Sequence, residues 1–582
     1  MDPKKLEGIR HSLAHLLATS IIELYPGAEN AIGPAIEDGF YQEFELPEVV
    51  SEKDFPKIEK KMREKLNEWK KLKHFSHREV TADEAREQFK WNKYKTELIN
   101  DFEREGKQIT FYTLGNFIDL CKGGHEENCE DIKLDGVKLL RVAGSYWKGN
   151  EKNIMLTRIY GAAFESKEKL DAYLTTLEEA KKRDHRKLGR ELDLFTFSDL
   201  VGPGLALWTP KGTILREELN NFVWELRKEK GYERVTIPHI TKRALYETSG
   251  HWEKFGTELF RIVTREGHEF AMKPMNCPHH TQIFNHLQRS YRDMPQRYAE
   301  TTMVYRDEQS GELSGLARVL CITQDDAHVF CRYAQIREEF FKIWDIVNRF
   351  YSTFGFTLKV RLSLHNPKEM KKYLGTPEVW ETAENALRDI AKERGAEYYE
   401  GVGEAAMYGP KIDFMANDSL GREHQVATIQ LDMNLPERFD LFCINEKGEH
   451  ERIVMIHAAI MGSIERFASV LIEHTAGNFP TWLSPVQVAI LPISDKHLEY
   501  SKTVADELKK SGVRVELHEE NDTLGKKIRN AKGTKVPYML VIGDAELNDK
   551  TVTVEHREKG KVGAMSNADF IAHITEEIKN RK

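Results

Sequence analysis

The chain opens on apolar positions at three- and four-residue steps (Leu6, Ile9, Leu13, Leu16, Leu17, Ile21 and Leu24), the spacing of one buried helix face. Pro26-Gly27 ends that helix. Residues 30–46 predict strands with turns, 52–73 a charged helix, and the short apolar, glycine-containing runs of 109–160 returning strands. A second helical block over 166–190 ends in KKRDHRKLGR (181–190), six basic residues and one aspartate, and a domain boundary is placed there. Long helical patterns at 211–230, 333–353 and 376–395 then lie between apolar strands such as RVTIP (234–238), which predicts a site built on an antiparallel sheet. After the FPTWLSP stretch (479–485), strands at 486–493, 513–518 and 538–543 alternate with helices at 495–511, 522–532 and 567–580. That order predicts a small α/β domain with a mostly parallel sheet.

Composition narrows the class. A chain of 582 residues suggests roughly four domains at about 150 residues each. Its 40% hydrophobic content is enough for several cores. The net charge of −8 excludes whole-molecule basicity as a route to nucleic acid, so any RNA contact must use local patches such as 181–190 and 526–535. Six scattered cysteines with no CxxC pair fit a reducing cytosol. No apolar run is long enough for a bilayer span, and the N-terminus is no signal peptide. A cytoplasmic protein with neither membrane nor DNA as partner is expected.

The chemistry concentrates in the middle block. Arg306 and Glu308 read as alternate positions of one strand, Arg318 as part of the returning strand, and Arg466 as the start of a helix after a glycine-containing junction. Converging guanidinium groups suit a triphosphate, because each is permanently charged and forks onto phosphate oxygens. The strand ending at Pro238, the Arg306–Glu308 hairpin and the Gly462–Arg466 junction resemble the three signature motifs of class II aminoacyl-tRNA synthetases. MKPMNCPHH (272–280), TQDDAHVFC (323–331), YGPKIDF (408–414), HQVATIQLD (424–432) and HAAIMGSIERF (457–467) resemble threonyl-tRNA synthetases, of the bacterial type, and the similarity runs the length of the chain.

The resemblance implies three domains: editing (1–180), class II catalytic with zinc (181–482) and anticodon-binding (483–582). The fold implied is α+β for the first, an antiparallel sheet with flanking helices for the second, and α/β for the third. It also implies threonine activation with ATP and Mg²⁺, transfer to tRNA(Thr), and a homodimer. One Zn²⁺ per chain would sit on Cys277, His328 and His457. Gln324, Asp326 and Tyr408 would line the threonine site, Arg306, Glu308, Arg318, Gln425, Thr428, Ser463 and Arg466 the nucleotide site, and Gln430 would be a further substrate-binding residue. Ala458 and His279 stand where Arg and Gly are the family's pattern. The sequence as given begins at the editing helix, without the small β-rich (TGS-like) domain that precedes it in many members; either the protein lacks that domain or the sequence has been trimmed.

Serine differs from threonine by one methyl group, worth only about 1–3 kcal/mol of discrimination, so a second, hydrolytic site is expected. His11 and His15 lie one helical turn apart, and Cys121 and His125 form another pair. By residue type alone, three histidines and a cysteine suit zinc as well as acid–base chemistry. The resemblance implies a metal-free site hydrolysing seryl-tRNA, with Lys95 and Asp119 as further members and Gly124 where the family has proline. In the last domain, Lys526, Lys527, Arg529, Lys532 and Lys535 form a basic cluster, and Asn521, Arg529 and Glu546 match anticodon-contacting positions. Glu555 replaces a common arginine there. Two other readings are a catalytically dead RNA-binding relative and a sister enzyme for serine or proline. The retained Arg306 and Arg466 with the zinc trio count against the first, and the trio with TQDDAH against the second.

Overall fold

The computed structural model describes residues 2–126 and 128–581. It divides into two compact units, one ending at Glu178 and one starting at Glu179.

In the first unit the helix Pro3–Leu24 starts on an Asp2 cap, whose side chain accepts from the Lys4 amide, with proline at the first helical position. Its periodic apolar face is sealed, Leu13, Leu16, Leu17 and Ile21 being fully buried. That face shares a core with the helix Phe55–Leu72 and the strand Gly39–Glu45. The main sheet runs in the order 29–30, 39–45, 155–163, 137–146, all antiparallel, with a short strand at 35–36 on its edge. A second sheet joins Ser76–Glu79, Thr110–Leu114 and Phe117–Leu120.

The second unit is built on an eight-stranded sheet, in the order 233–234, 296–305, 321–331, 454–463, 423–432, 411–417, 357–364, 398–402. Only the two outermost pairings are parallel. The helices Pro210–Glu229, Ile336–Thr353, Pro377–Glu393 and Ile464–Thr475 contribute to the core behind it. The 234–238 strand is shorter than its apolar pattern suggests: pairing stops at Arg234, and Ile240–Lys242 joins a separate three-stranded sheet. Arg306, Glu308 and Arg318 are not on strands either. The strand Gln296–Tyr305 ends before them and Cys321–Cys331 begins after them, so all three lie on the connecting loop.

The last sheet has the order 515–517, 488–492, 538–542, 551–556, 560–566. Its first two pairings are parallel and its last two antiparallel, so it is mixed rather than mostly parallel. The reason is connection length: a parallel pair needs a crossover of a dozen or more residues, and the segments 543–550 and 557–559 are too short to supply one. Among the described residues no helix is long and apolar enough to cross a membrane.

Candidate active sites

A cleft of about 990 Å³ opens on the large sheet. Strand alternation sends Gln324, Asp326 and His328 to this side, while Asp325, between them, is buried against Arg227 on the other. His457 lies directly across from His328 in the strand register, and Gln430 is the next neighbour across. Cys277 arrives from the first turn of the helix Cys277–Asn285. Donor atoms of Cys277, His328 and His457 all lie within 4.8 Å of one another, and all three residues are buried.

The surroundings settle which nitrogens face inward. His457 Nε2 is 2.8 Å from Asp432, and His328 Nδ1 is 2.7 Å from His280 Nδ1. The remaining nitrogens, His328 Nε2 and His457 Nδ1, point at each other at 3.0 Å. Imidazoles oriented from behind by a partner are the usual support of a metal ligand. Burial pushes the Cys277 thiol well above its ordinary pKa and the His328 imidazole well below its own. Neutral imidazoles are ready ligands, and a thiol so placed becomes a thiolate only beside a cation. One thiolate and two imidazoles fit Zn²⁺ with a coordination position to spare.

The other expected residues line the same cleft: Tyr408 near the zinc trio, then Arg306, Glu308, Arg318, Gln425, Thr428, Ser463 and Arg466. Arg306 lies 5.4 Å over the Phe255 ring, and its buried Nε has no partner, a donor left for a ligand. Arg318 and Glu308 are bonded to each other, at 2.9 and 2.6 Å. Ser463 caps the helix Ile464–Thr475 by accepting from the Arg466 amide. Gln425 and Thr428 both donate to Asp413, at 3.0 and 2.6 Å. Burial opposes the charge on Asp413, but Lys411, Ser363 and Thr428 hold its pKa below the ordinary value. Sequence reasoning missed Asp413 and Lys411, although both sit in YGPKIDF and face one side by strand alternation. It also missed His251, fully buried, with Nε2 3.7 Å from Cys277 Sγ and Nδ1 2.8 Å from Ser249.

In the first unit, a second cleft of about 730 Å³ is lined by His11, His15, Lys95, Asp119 and Cys121. Cys121 Sγ lies 3.3 Å from His11 Nε2 and 3.2 Å from His125 Nε2, and the His11 and His125 rings stack at 4.2 Å. His15 Nδ1 is 3.0 Å and Lys95 Nζ 2.6 Å from Asp119, whose carboxylate also accepts from Asn30. The donor atoms of the three histidines and Cys121 fall within 4.8 Å of one another, so the cluster meets a metal's spacing as well as that of internal proton transfer. Gly123 and Gly124 both take positive φ, +104° and +84°. Proline, fixed near −65°, could not occupy the second position, so this turn follows a path of its own.

Burial opposes charge throughout this cluster, and hydrogen bonds decide where charge stays. The Asp119 and Cys121 bonds overcome burial at His15 and raise it to about 9. Bonds from His11, His125 and His15 likewise lower Cys121 to about 3. His125 falls to about 4, mainly by burial. Cys121 is therefore a thiolate throughout the neutral range. Its alkylation by iodoacetamide, followed by mass spectrometry, should be flat from pH 5 to 8, whereas an ordinary thiol gains about tenfold per unit. A tenfold-per-unit slope at Cys121 would remove the thiolate assignment.

The basic patches are less available than the sequence suggests. Lys527 is buried, donating to the carbonyls of Pro492 and His518, and Lys535 donates to that of Ala476. Lys526 pairs with Asp522, and Lys532 with Glu555. In 181–190, Arg183 bonds Ser419 and the His474 carbonyl, Arg186 pairs with Asp184, and His185 with Glu473. Glu546 accepts from the Gly543 amide and the Thr553 hydroxyl, a helix-capping role. Asn521 and Arg529 are exposed. The anticodon role expected of Arg529 predicts that Arg529→Gln raises KM for tRNA in aminoacylation and leaves ATP–pyrophosphate exchange unchanged; loss of both would mean damage to the fold.

Three family models match the chain. They are the class II tRNA synthetase core (G, H, P, S and T) over 260–475, the anticodon-binding domain over 487–577, and the second additional domain of threonyl- and alanyl-tRNA synthetases over 109–160. The antiparallel sheet with its arginine-lined cleft is thus a class II aminoacyl-tRNA synthetase core. Threonine–tRNA ligases of Flavobacterium johnsoniae and Porphyromonas gingivalis are each 48% identical, covering 99% and 98% of this chain and 89% and 87% of their own. A solved structure of the RNA-binding domain of the Cryptosporidium parvum threonyl-tRNA synthetase is 41% identical, with TM-score 0.65, over 68% of this chain and 98% of its own. The chain belongs to the threonyl-tRNA synthetase family.

Proposed function

We propose that this protein is a threonine–tRNA ligase that activates threonine with ATP, transfers it to tRNA(Thr) and hydrolyses mischarged seryl-tRNA. The observation that carries the reading is a single cleft that gathers the zinc donor trio, a buried unpartnered arginine donor and two further arginines. In this reading 1–180 edits, 181–482 catalyses and 483–582 reads the anticodon. The enzyme works in the cytoplasm as a homodimer, with Mg²⁺ accompanying ATP.

Cys277, His328 and His457 would hold Zn²⁺, which when bound offers a Lewis acid to the amino and hydroxyl groups of threonine. Asp326, beside the trio, accepts from the substrate amino group or hydroxyl, and Gln324, Tyr408 and Gln430 close the amino-acid end of the cleft. The threonine carboxylate attacks the ATP α-phosphate, and pyrophosphate leaves. Arg306 neutralises the charge gathering between carboxylate and α-phosphate, and Arg466 holds the γ-phosphate. Glu308 receives the adenine amine once its ion pair with Arg318 is divided. No side-chain nucleophile is needed, since orientation and charge neutralisation carry the rate. In the editing cleft, His11 and Cys121 with the His15–Asp119 pair hold and move the proton of an attacking water, and the internal bonds of the cluster support a reading without metal.

Aminoacylation of tRNA(Thr) with threonine and with serine, alongside zinc analysis of the same sample, tests this. Stable threonyl-tRNA, transient seryl-tRNA and about one zinc per chain are expected. Failure of zinc-replete enzyme to form threonyl-tRNA would overturn the reading.

A further inference from the structure

The proposed chemistry of the cleft leaves a largely buried titratable cluster at its edge without a role. Asp184, His185 and Glu473 bring their donor atoms within 4.8 Å, which on spacing alone would suit a cation. The hydrogen bonds argue otherwise. The Leu316 backbone N–H, which can only donate, points at His185 Nε2 at 3.1 Å, so that nitrogen must carry the lone pair. The ring proton is then on Nδ1, 2.7 Å from Glu473 Oε1, and the same oxygen accepts from the His185 amide at 3.1 Å. Both ring nitrogens are occupied, and neither faces a free position. Behind them Arg422 bonds Glu473 at 2.6 Å and Asp418 at 2.7 Å, fixing the carboxylate.

What this chain of bonds holds is the loop between the strands Gln296–Tyr305 and Cys321–Cys331. Its tip is a tight turn, in which the Ser314 amide bonds the Arg318 carbonyl and the Ala317 amide the Ser314 carbonyl. Leu316, fully buried, anchors the turn in the core. Gly315 crosses the imidazole at φ +51°, and a Cβ there would meet His185 Nε2 at 2.3 Å. Two residues beyond Leu316 is Arg318, whose guanidinium is bonded to Glu308 on the same loop. Apart from the isolated antiparallel bridge of Ser314 with Arg318, which closes the turn on itself, the loop lies outside the strands, so contacts beyond it set where the turn sits. The imidazole supplies a fixed acceptor at the middle of the turn.

We infer that His185 is a positioning residue for the nucleotide: through Leu316 it fixes the 314–318 turn, and so places Arg318 and Glu308 for ATP. The inference rests on the proposed assignment of those two residues to the nucleotide. It predicts a selective defect, since the threonine end of the cleft is built on strands that His185 does not touch.

The test is threonine-dependent ATP–pyrophosphate exchange with His185→Gln, His185→Asn and Arg318→Ala, measuring KM for ATP and for threonine, with thermal unfolding of each. Glutamine can place its amide oxygen near the Nε2 position and keep the bond to Leu316. Asparagine reaches only the Nδ1 position, keeping Glu473 and losing Leu316. His185→Asn should raise KM for ATP about tenfold and leave KM for threonine within twofold, while His185→Gln stays within about threefold of the parent in both. A Gly315→Ala variant, which wedges the turn from the opposite side, should reproduce the asparagine effect. Equal behaviour of the Asn and Gln variants, or a parallel rise of both KM values, would overturn the clamp. Arg318→Ala should raise KM for ATP at least as much as His185→Asn. An unchanged value there would instead overturn the nucleotide role of Arg318, and with it the route by which the clamp acts.

Discussion

Replacing Arg306 with alanine is expected to cut threonine-dependent ATP–pyrophosphate exchange by about 10²–10³-fold, the scale of losing one preorganised donor at a charged transition state. The expectation follows from its position. Arg306 leaves the sheet one residue after the strand Gln296–Tyr305, its amide bonds the Leu320 carbonyl, and its guanidinium is steadied over Phe255. The backbone and stem are thus fixed while Nε stays buried and unpartnered. A donor in that state costs the free enzyme stability and is recovered when an anion arrives. Because negative charge moves from the attacking carboxylate onto the α-phosphate oxygens and the leaving pyrophosphate toward the transition state, the loss should fall mainly on kcat. Arg306→Lys should recover little, since an ammonium cannot fork between two oxygens. Zinc content and hydrolysis of added seryl-tRNA serve as controls, the latter residing in a separate compact unit. Exchange within threefold of the parent would remove Arg306 from the chemistry.

Periodicity made the helices legible, because a helix buries a face whose spacing is local. The helix Pro3–Leu24 and the strand–helix alternation of 486–580 follow the pattern closely. What stayed hidden is non-local. His328 and His457 are far apart in sequence and become neighbours only through strand register. Only the family resemblance joined them to Cys277. Alternation also misled where a loop imitated a strand: Arg306 and Glu308 are spaced like strand residues, but the strand ends at Tyr305 and both lie on the loop that follows. Charge counting failed for a related reason. Lys527 looks like surface in sequence, yet its long stem lets the ammonium reach two carbonyls from a buried position. In the editing cleft the histidine spacing was visible, whereas of its brace Lys95 and Asp119 came only from the family resemblance and Asn30 from neither, since the three meet only through tertiary packing.

That brace makes His11 the most informative editing residue to change. His15 is committed to Asp119, and His125 is stacked and partly enclosed. His11 lines the open cleft with Nε2 on the Cys121 thiolate, so it joins the charged cluster to the space a seryl ester would enter without being committed to Asp119. His11→Ala should slow hydrolysis of seryl-tRNA by about 10²–10⁴-fold, the range for a positioned acid–base group. Threonine activation, proposed for the unit that starts at Glu179, should not change. The missing methyl group of serine costs it only about 1–3 kcal/mol at the synthetic site, a factor of roughly 10–200. At equal amino-acid concentrations the variant should therefore accumulate about one seryl-tRNA for every 10–200 threonyl-tRNA, where the parent accumulates almost none. Asp119→Asn, which removes the counter-charge that holds His15 protonated, should give the same product ratio from a different atom. If both variants melt at the parent temperature and still clear seryl-tRNA at the parent rate, hydrolysis takes place elsewhere on the protein. If only Asp119→Asn is defective, His15 moves the proton and His11 merely shapes the cleft.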